Sequence, residues 1–195
     1  GDDEDSPHIR HLRDGLLLVA GGRIVDCGPA EQLLPQLSPE LPIEYFPDRL
    51  LMPGFVDAHV HYPQTDVLAS RGTDLLDWLH TCVFPAERAF ADPAHAGAIA
   101  GVFLEELLRN GTTTALVMAT VHPQSVDALF EAAGRQHLRL VAGKVLMDRH
   151  TPEWLRDTAE SAYADSLALI ERWHGRGRFH YAITPRFAPT SSEAQ

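Results

Sequence analysis

Two histidines, His59 and His61, are the residues whose type and spacing most directly indicate metal chemistry in this sequence. They end the segment 53–61, whose apolar and β-branched residues are typical of a strand. Side chains alternate along a strand, so both imidazoles are predicted on one face with Phe55 and Asp57, and the aliphatic face packs against helices. Imidazole is a usual zinc or iron ligand, so the pair predicts half of a metal site. On these two residues alone, histidines merely hydrogen-bonded at a strand end are an equally open alternative.

The elements that must position this pair begin near residue 50, where strand and helix periodicities start to alternate. This alternation is typical of successive βα units with a parallel sheet. Four strands are predicted, one ending at His61 and the others over 112–120, 139–147 and 179–184. Three helices are predicted over 96–108, from His122-Pro123 onward, and over 155–173, with glycine stop signals after the first and third.

The residues before position 50 predict a small separate β module. Segment 15–28 reads as a hairpin whose Gly21-Gly22 turn supplies positive φ. A short helix is predicted over 30–37 and a third strand over 43–46. The domain organisation is therefore a flexible lead-in over 1–14, a small β module over 15–49, and βα units of an incomplete barrel over 50–195.

The length bounds what these units can build. A complete (β/α)8 barrel typically needs about 250 residues, whereas this chain has 195. The predicted fold class is therefore α/β, the first half of a (β/α)8 barrel behind a small β module. The chain is expected to be a truncated, N-terminal part of a longer protein.

Charge and composition exclude several classes of partner. The formal net charge is −11 and no Lys/Arg cluster occurs, which argues against nucleic acid or an anionic membrane surface. No signal peptide or apolar membrane span is recognisable, so a cytoplasmic location is expected. Cys27 and Cys82 have no CxxC partner and are expected to be reduced thiols.

Longer motifs make the metal interpretation more specific. The segment Pro53 to His61, followed about fifty residues later by Asn110-Gly111-Thr112-Thr113-Thr114, resembles the metal-dependent amidohydrolase superfamily. More narrowly, the sequence blocks resemble those of the guanine deaminase family within it. These blocks are His61-Tyr62-Pro63-Gln64, Leu76-Asp77-Trp78-Leu79, Phe84-Pro85-Ala86-Glu87, Thr120-Val121-His122-Pro123-Gln124-Ser125, Gly143-Lys144-Val145-Leu146-Met147-Asp148 and Thr184-Pro185-Arg186-Phe187.

The resemblance implies roles for particular residues. His59 and His61 become two ligands of one zinc ion per complete subunit, iron being the less favoured metal, and His61 also borders the substrate. Gln64 becomes a purine-binding amide, while Arg186 and Phe187 recognise and pack the base. Without the resemblance, Gln64 would be interpreted as a loop amide and Arg186 as part of a rim salt bridge.

Three other candidates are given mainly structural roles. Trp78 lies in an apolar run, so packing is favoured over a contact with substrate, although a lid role stays open. His122 precedes a proline and is interpreted as a helix entry. Lys144 lies within a predicted strand, so an internal ion pair is favoured over a carbamylated, metal-bridging lysine.

The function that the resemblance implies is zinc-dependent hydrolytic deamination of guanine to xanthine and ammonia by the complete, dimeric enzyme. The remaining ligands and the acid/base glutamate are expected beyond Gln195, so the 195-residue chain alone is expected to be inactive. Two alternatives stay open. One is a related deaminase or chlorohydrolase acting on another amino-heterocycle, and the other is a non-catalytic half-barrel scaffold.

Overall fold

The computed structural model describes residues 10–195, which form two compact units that divide between Leu51 and Met52. Most of the predicted lead-in, residues 1–9, lies outside the described residues. No helix within the described range is long and apolar enough to cross a membrane.

The first unit is a two-stranded hairpin followed by a short helix. Strand β1, Gly15–Ala20, pairs antiparallel with β2, Arg23–Pro29, and the two turn glycines have φ of 57° and 72°, which confirms the predicted turn. Helix α1, Ala30–Leu33, continues into a 3-10 turn, Leu34–Gln36, as expected.

The predicted third strand over 43–46 is wrong, because this segment is irregular and pairs with no strand in the described range. Tyr45 is 80% exposed. Prolines at 42 and 47 bracket the segment, and proline lacks the backbone N–H that a ladder requires. A largely apolar sequence therefore does not form a strand here, because no neighbouring strand edge is available to it in the described range.

The second unit contains the predicted βα units. In chain order its strands are β3 Phe55–His61, β4 Thr112–Met118, β5 Arg139–Gly143, β6 Val145–Leu146, β7 Phe179–Tyr181 and β8 Thr184–Pro185. Its helices are α2 Leu75–Trp78, α3 Phe84–Ala89, α4 Pro93–Arg109, α5 Pro123–Gln136 and α6 Ala159–Trp173, with a π-helical turn over Leu79–Val83 and 3-10 turns over Tyr62–Val67, Glu153–Leu155 and Ala188–Thr190.

These strands form two parallel sheets. The larger sheet has the order β3-β4-β5-β7, and β6 pairs with β8 as a smaller parallel sheet. Helices α4, α5 and α6 cover the larger sheet, and their contact is a core that includes Phe103, Leu129, Phe130, Leu140 and Tyr181. The parallel α/β architecture of the first half of a barrel is thus present as predicted.

Two predicted strands are each divided in two, because the backbones approach closely at Gly143. A side chain at Gly143 would overlap the carbonyl oxygen of Ala182. Ala182 donates its N–H to Ala142 at 3.0 Å, and the Thr184 hydroxyl donates to the Lys144 carbonyl at 2.6 Å. The larger sheet therefore ends at this point and the β6-β8 pair continues beyond it.

Local caps set the helix boundaries. Helix α4 begins with Asp92 accepting a hydrogen bond from Ala94 N–H and ends before Gly111, whose φ is 83°. Helix α6 begins at Ala159, later than the predicted 155, because Thr158 and Ser161 form a capping box. Leu155 instead lies in a 3-10 turn and is fully buried.

Gly143→Ala is expected to lower the free energy of unfolding of the protein by about 1–3 kcal/mol, because the new methyl group meets rigid backbone. Gly101→Ala in α4 is the matched control, since nothing lies within 4 Å of the position that its new methyl group would take. The control should stabilise by about 0.5–1 kcal/mol. Urea unfolding measures both, and equal stability of the two variants would contradict the close approach at Gly143.

Candidate metal and substrate site

His59 and His61 converge at the end of strand β3. Their ring centroids lie 5.1 Å apart with a 66° angle between the planes. The register between β3 and β4 shifts between Asp57 and Val60, where β3 carries one extra residue. Such a bulge re-aims side chains locally, and here the Asp57 carboxylate accepts a hydrogen bond from His59 N–H at 3.1 Å. The convergence predicted from simple alternation is present, although the strand is irregular.

The aliphatic face of β3 is only partly covered, which corrects the expected packing against helices. Val60 packs against the main core, whereas Val56 is 69% exposed. The reason is that β3 is an edge strand, paired only with β4 in the described part of the chain.

His61 has the properties of a neutral metal ligand. Burial, then the positive charge of Arg186, then His59 lower the pKa of His61 from 6.5 to about 4. Its Nδ1 is buried and has no hydrogen-bond partner among residues 10–195. A neutral imidazole with an unused nitrogen suits zinc, so the pair fits half of a metal site. No group of three or more His, Cys, Asp or Glu side chains completes the site in that range.

One cavity of about 690 Å³ brings the predicted site residues together. The six predicted residues that line it are His59, His61, Gln64, Trp78, Arg186 and Phe187. The first two lie on β3, and the last two directly follow β8, so strands distant in sequence meet at one edge.

Gln64 is held at this cavity by the 3-10 turn that follows β3. The turn is anchored by Tyr62, which is fully buried, donates its hydroxyl to the Ser125 carbonyl at 2.6 Å and packs edge-on against Phe90. Thr65 donates its hydroxyl to the Tyr62 carbonyl at 2.7 Å. The Gln64 side chain has no hydrogen bond to another described residue, so its amide is available to a ligand.

Arg186 forms a buried ion pair with Glu87, a residue for which the sequence predicted no role. Arg186 Nη1 donates to Glu87 Oε1 at 2.6 Å and Oε2 at 2.8 Å, and the two side chains are 5% and 0% exposed. Burial raises the pKa of Glu87, and Arg186 opposes that rise. In the sequence, Glu87 is a glutamate that follows three apolar residues, and such a glutamate is usually an exposed helix residue.

Trp78 packs as predicted. Its indole N–H donates to the Ser70 hydroxyl at 2.7 Å, and its side chain packs against a second, smaller group of buried apolar residues that includes Val83 and Leu155. It also borders the cavity, so the alternative of a lid role stays open.

His122 and Lys144 do not line the cavity. His122 is the N-cap residue of α5, as predicted, but its side chain makes no cap hydrogen bond and its Nε2 is buried without a partner in the described range. Lys144 is fully buried, and its ammonium group donates to both Asp157 oxygens at 2.8 Å and to the Val121 carbonyl at 2.7 Å. The internal ion pair predicted for Lys144 is confirmed.

The sequence contains one His-x-x-Glu spacing, from His150 to Glu153. Both residues are exposed, His150 in a loop with φ of 50° and Glu153 in a 3-10 turn. Neither lines the cavity, so this spacing adds no ligand or proton donor to the histidine pair.

Comparison with known proteins gives a consistent result. The amidohydrolase family model matches residues 50–195. Guanine deaminase of Escherichia coli K12 is 50% identical over 193 residues, which are 99% of this chain and 44% of that protein. The structure of E. coli guanine deaminase superposes with a TM-score of 0.89 at 52% identity, over 93% of this chain and 42% of that one.

Two more distant structures contain ligands. A guanine deaminase from C. acetobutylicum with guanine bound in the active site is 28% identical with a TM-score of 0.77, over 94% of this chain and 43% of that one. An adenosine deaminase from Xanthomonas campestris with bound zinc is 26% identical with a TM-score of 0.75, over 90% of this chain and 39% of that one. The chain thus spans less than half the length of these relatives, and their bound groups suggest a metal and a small-molecule substrate.

The Arg186→Gln variant is expected to raise the pKa of His61, because a nearby positive charge is removed. The pKa should stay below 6.5, since burial is the larger cause. A lowered pKa also means that His61 contributes stability that is full above about pH 6.5 and is lost as the pH falls toward 4. Histidine NMR titration of the metal-free protein measures the shift. Arg172→Gln is the control, and a wild-type His61 that titrates near 6.5 would contradict the expectation.

Proposed function

The chain belongs to the amidohydrolase family, and we propose that the protein containing it hydrolyses guanine to xanthine and ammonia. The observation that carries this proposal is that the histidine pair, Gln64, Arg186 and Phe187 line the same cavity. Relatives named guanine deaminase support it, one of them 50% identical along 99% of the chain.

We propose zinc as the metal, with His59 and His61 as two of its ligands. When bound, zinc acts as a Lewis acid that brings the pKa of a water molecule toward 7. A catalytic zinc site uses three or more protein ligands, so the others, together with the proton-transferring glutamate, are proposed for the part of the relatives' length that this chain does not span.

The purine contacts are assigned to three side chains. Arg186 offers only donors, which match the O6 and N7 acceptors of guanine, while the amide of Gln64 both donates and accepts. Phe187 is 39% exposed at the cavity and offers an aromatic face to the base. Together they hold the ring with C2 toward the histidines, which is a contribution of orientation to the rate.

A related amidohydrolase acting on another amino-heterocycle is the second candidate, since the adenosine deaminase shares the fold at 26% identity. Arg186 favours the first candidate, because its donors would face the amino group of adenine rather than an oxygen. A homodimer and a cytoplasmic location stay predictions from the sequence, and a non-catalytic scaffold is the third alternative.

The purified full-length protein is expected to release ammonia from guanine and much less from adenine, cytosine or triazines. His59→Ala should lower kcat/KM by more than about 100-fold and reduce bound zinc, because one ligand is lost. His11→Ala is the matched control, an exposed histidine outside the cavity. Ammonia release and metal analysis measure both effects, and absence of ammonia from guanine would refute the proposed substrate.

The 195-residue chain by itself is expected to bind no stoichiometric zinc and to show no turnover. Two imidazoles are fewer than the ligands of a stable catalytic zinc site. Metal analysis of the dialysed chain tests this expectation. One tightly bound zinc per chain would show that residues 1–195 supply the missing ligand.

A further inference from the structure

Stability alone does not explain the buried ion pair between Glu87 and Arg186. A buried ion pair loses the hydration of both charges, and replacing such pairs by apolar residues is often neutral or stabilising. Here both carboxylate oxygens accept from the single Nη1 nitrogen, and Glu87 is completely shielded from solvent. This geometry restrains one end of the guanidinium strongly.

One further contact restrains this side chain, and a backbone hydrogen bond fixes the residue that carries it. The Arg186 guanidinium carbon lies 5.3 Å from the centroid of the Phe84 ring, and the backbone N–H of Arg186 donates to the Leu146 carbonyl at 3.2 Å. Phe84 and Glu87 are three residues apart on α3, so both project from one side of the helix. Helix α3 thus supplies both the carboxylate at one edge of the guanidinium and the aromatic ring near its central carbon.

The opposite edge of the guanidinium is left free. A guanidinium has five N–H donors in a planar fork, and Nη1 holds two of them. Within residues 10–195, Nε and Nη2 have no hydrogen-bond partner, and Arg186 lines the cavity beside His61. The N–H groups of Nε and Nη2, which Glu87 does not bind, are therefore available to a ligand.

We propose that Glu87 is a positioning residue that orients the free donors of Arg186 toward the 6-oxo oxygen of a purine and so determines selection of 6-oxo over 6-unsubstituted rings. This role rests on the proposed function. Glu87 does not touch substrate and acts only through Arg186, so its removal leaves a guanidinium that is free to rotate away from the cavity.

Glu87→Gln in the full-length protein tests this role, because glutamine keeps the volume but loses the charge and one acceptor. Calorimetry on the metal-free protein compares hypoxanthine, which has a 6-oxo group, with unsubstituted purine. We expect hypoxanthine affinity to fall about 10- to 100-fold, the value of a hydrogen bond to a charged group. Purine affinity should change by about threefold or less. In the metal-loaded protein the loss for guanine should lie mainly in KM.

A double-mutant cycle separates positioning from general destabilisation. If Glu87 acts through Arg186, Glu87→Gln should have no further effect on hypoxanthine affinity in an Arg186→Gln background. The matched control is Asp127→Asn, which likewise removes the charge and one acceptor from the side chain that binds Arg172 and Trp173 between α5 and α6. The control should lower the Tm and leave the hypoxanthine-to-purine affinity ratio unchanged. Glu87→Asp, which keeps the charge on a shorter side chain, replaces Glu87→Gln if the latter fails to fold, and an intermediate loss of preference is expected.

The outcomes distinguish this role from the proposed activity. Equal losses for hypoxanthine and purine, an unchanged preference in the Glu87 variants, or no preference in the wild type would overturn the positioning role. A wild type that prefers hypoxanthine through Glu87 and Arg186 but releases no ammonia from guanine supports the positioning role and refutes the activity.

Discussion

Parallel pairing of β3, β4, β5 and β7 makes every one of these strands end at the same edge of the sheet. His61 ends the first strand, and Arg186 directly follows β8, more than a hundred residues later. The two residues line the same cavity only because this directionality is kept along the whole second unit. The helices that cover the sheet, with Phe130 and Leu140 in their shared core, maintain the register on which that arrangement depends.

Each of two buried positive charges in the second unit is paired with a carboxylate. The buried guanidinium of Arg186 is matched by Glu87, and the buried ammonium of Lys144 is matched by Asp157. An unpaired charge in either place would incur a large desolvation penalty. Burial lowers the pKa of His61, the positive charge of Arg186 adds to this shift, and the imidazole is therefore neutral and suitable as a ligand. Binding chemistry and folding stability thus depend on the same ion pair.

Predictions from the sequence succeeded where the determining interaction is local. The Gly21-Gly22 turn, the cap before Gly111 and the alternation of strands and helices all depend on residues close together in the chain. The predictions failed where a residue distant in the sequence determines whether a strand forms and where it ends. The predicted strand over 43–46 has no edge to pair with in the described range, and the strand predicted over 139–147 is divided at Gly143, where Ala182 approaches. No sequence feature near position 143 predicts the close approach of Ala182.

The sequence by itself determined the type of site, because the His59-x-His61 spacing on a strand and the longer motifs around it specify two imidazoles at a strand end within an amidohydrolase pattern. Only the tertiary structure decided how Arg186 is used. Its partner Glu87 lies ninety-nine residues away, on a short helix whose sequence looks ordinary. The physical reason is that hydrogen bonds and burial between distant segments depend on the packing of the whole sheet, whereas spacing along a strand depends only on backbone geometry.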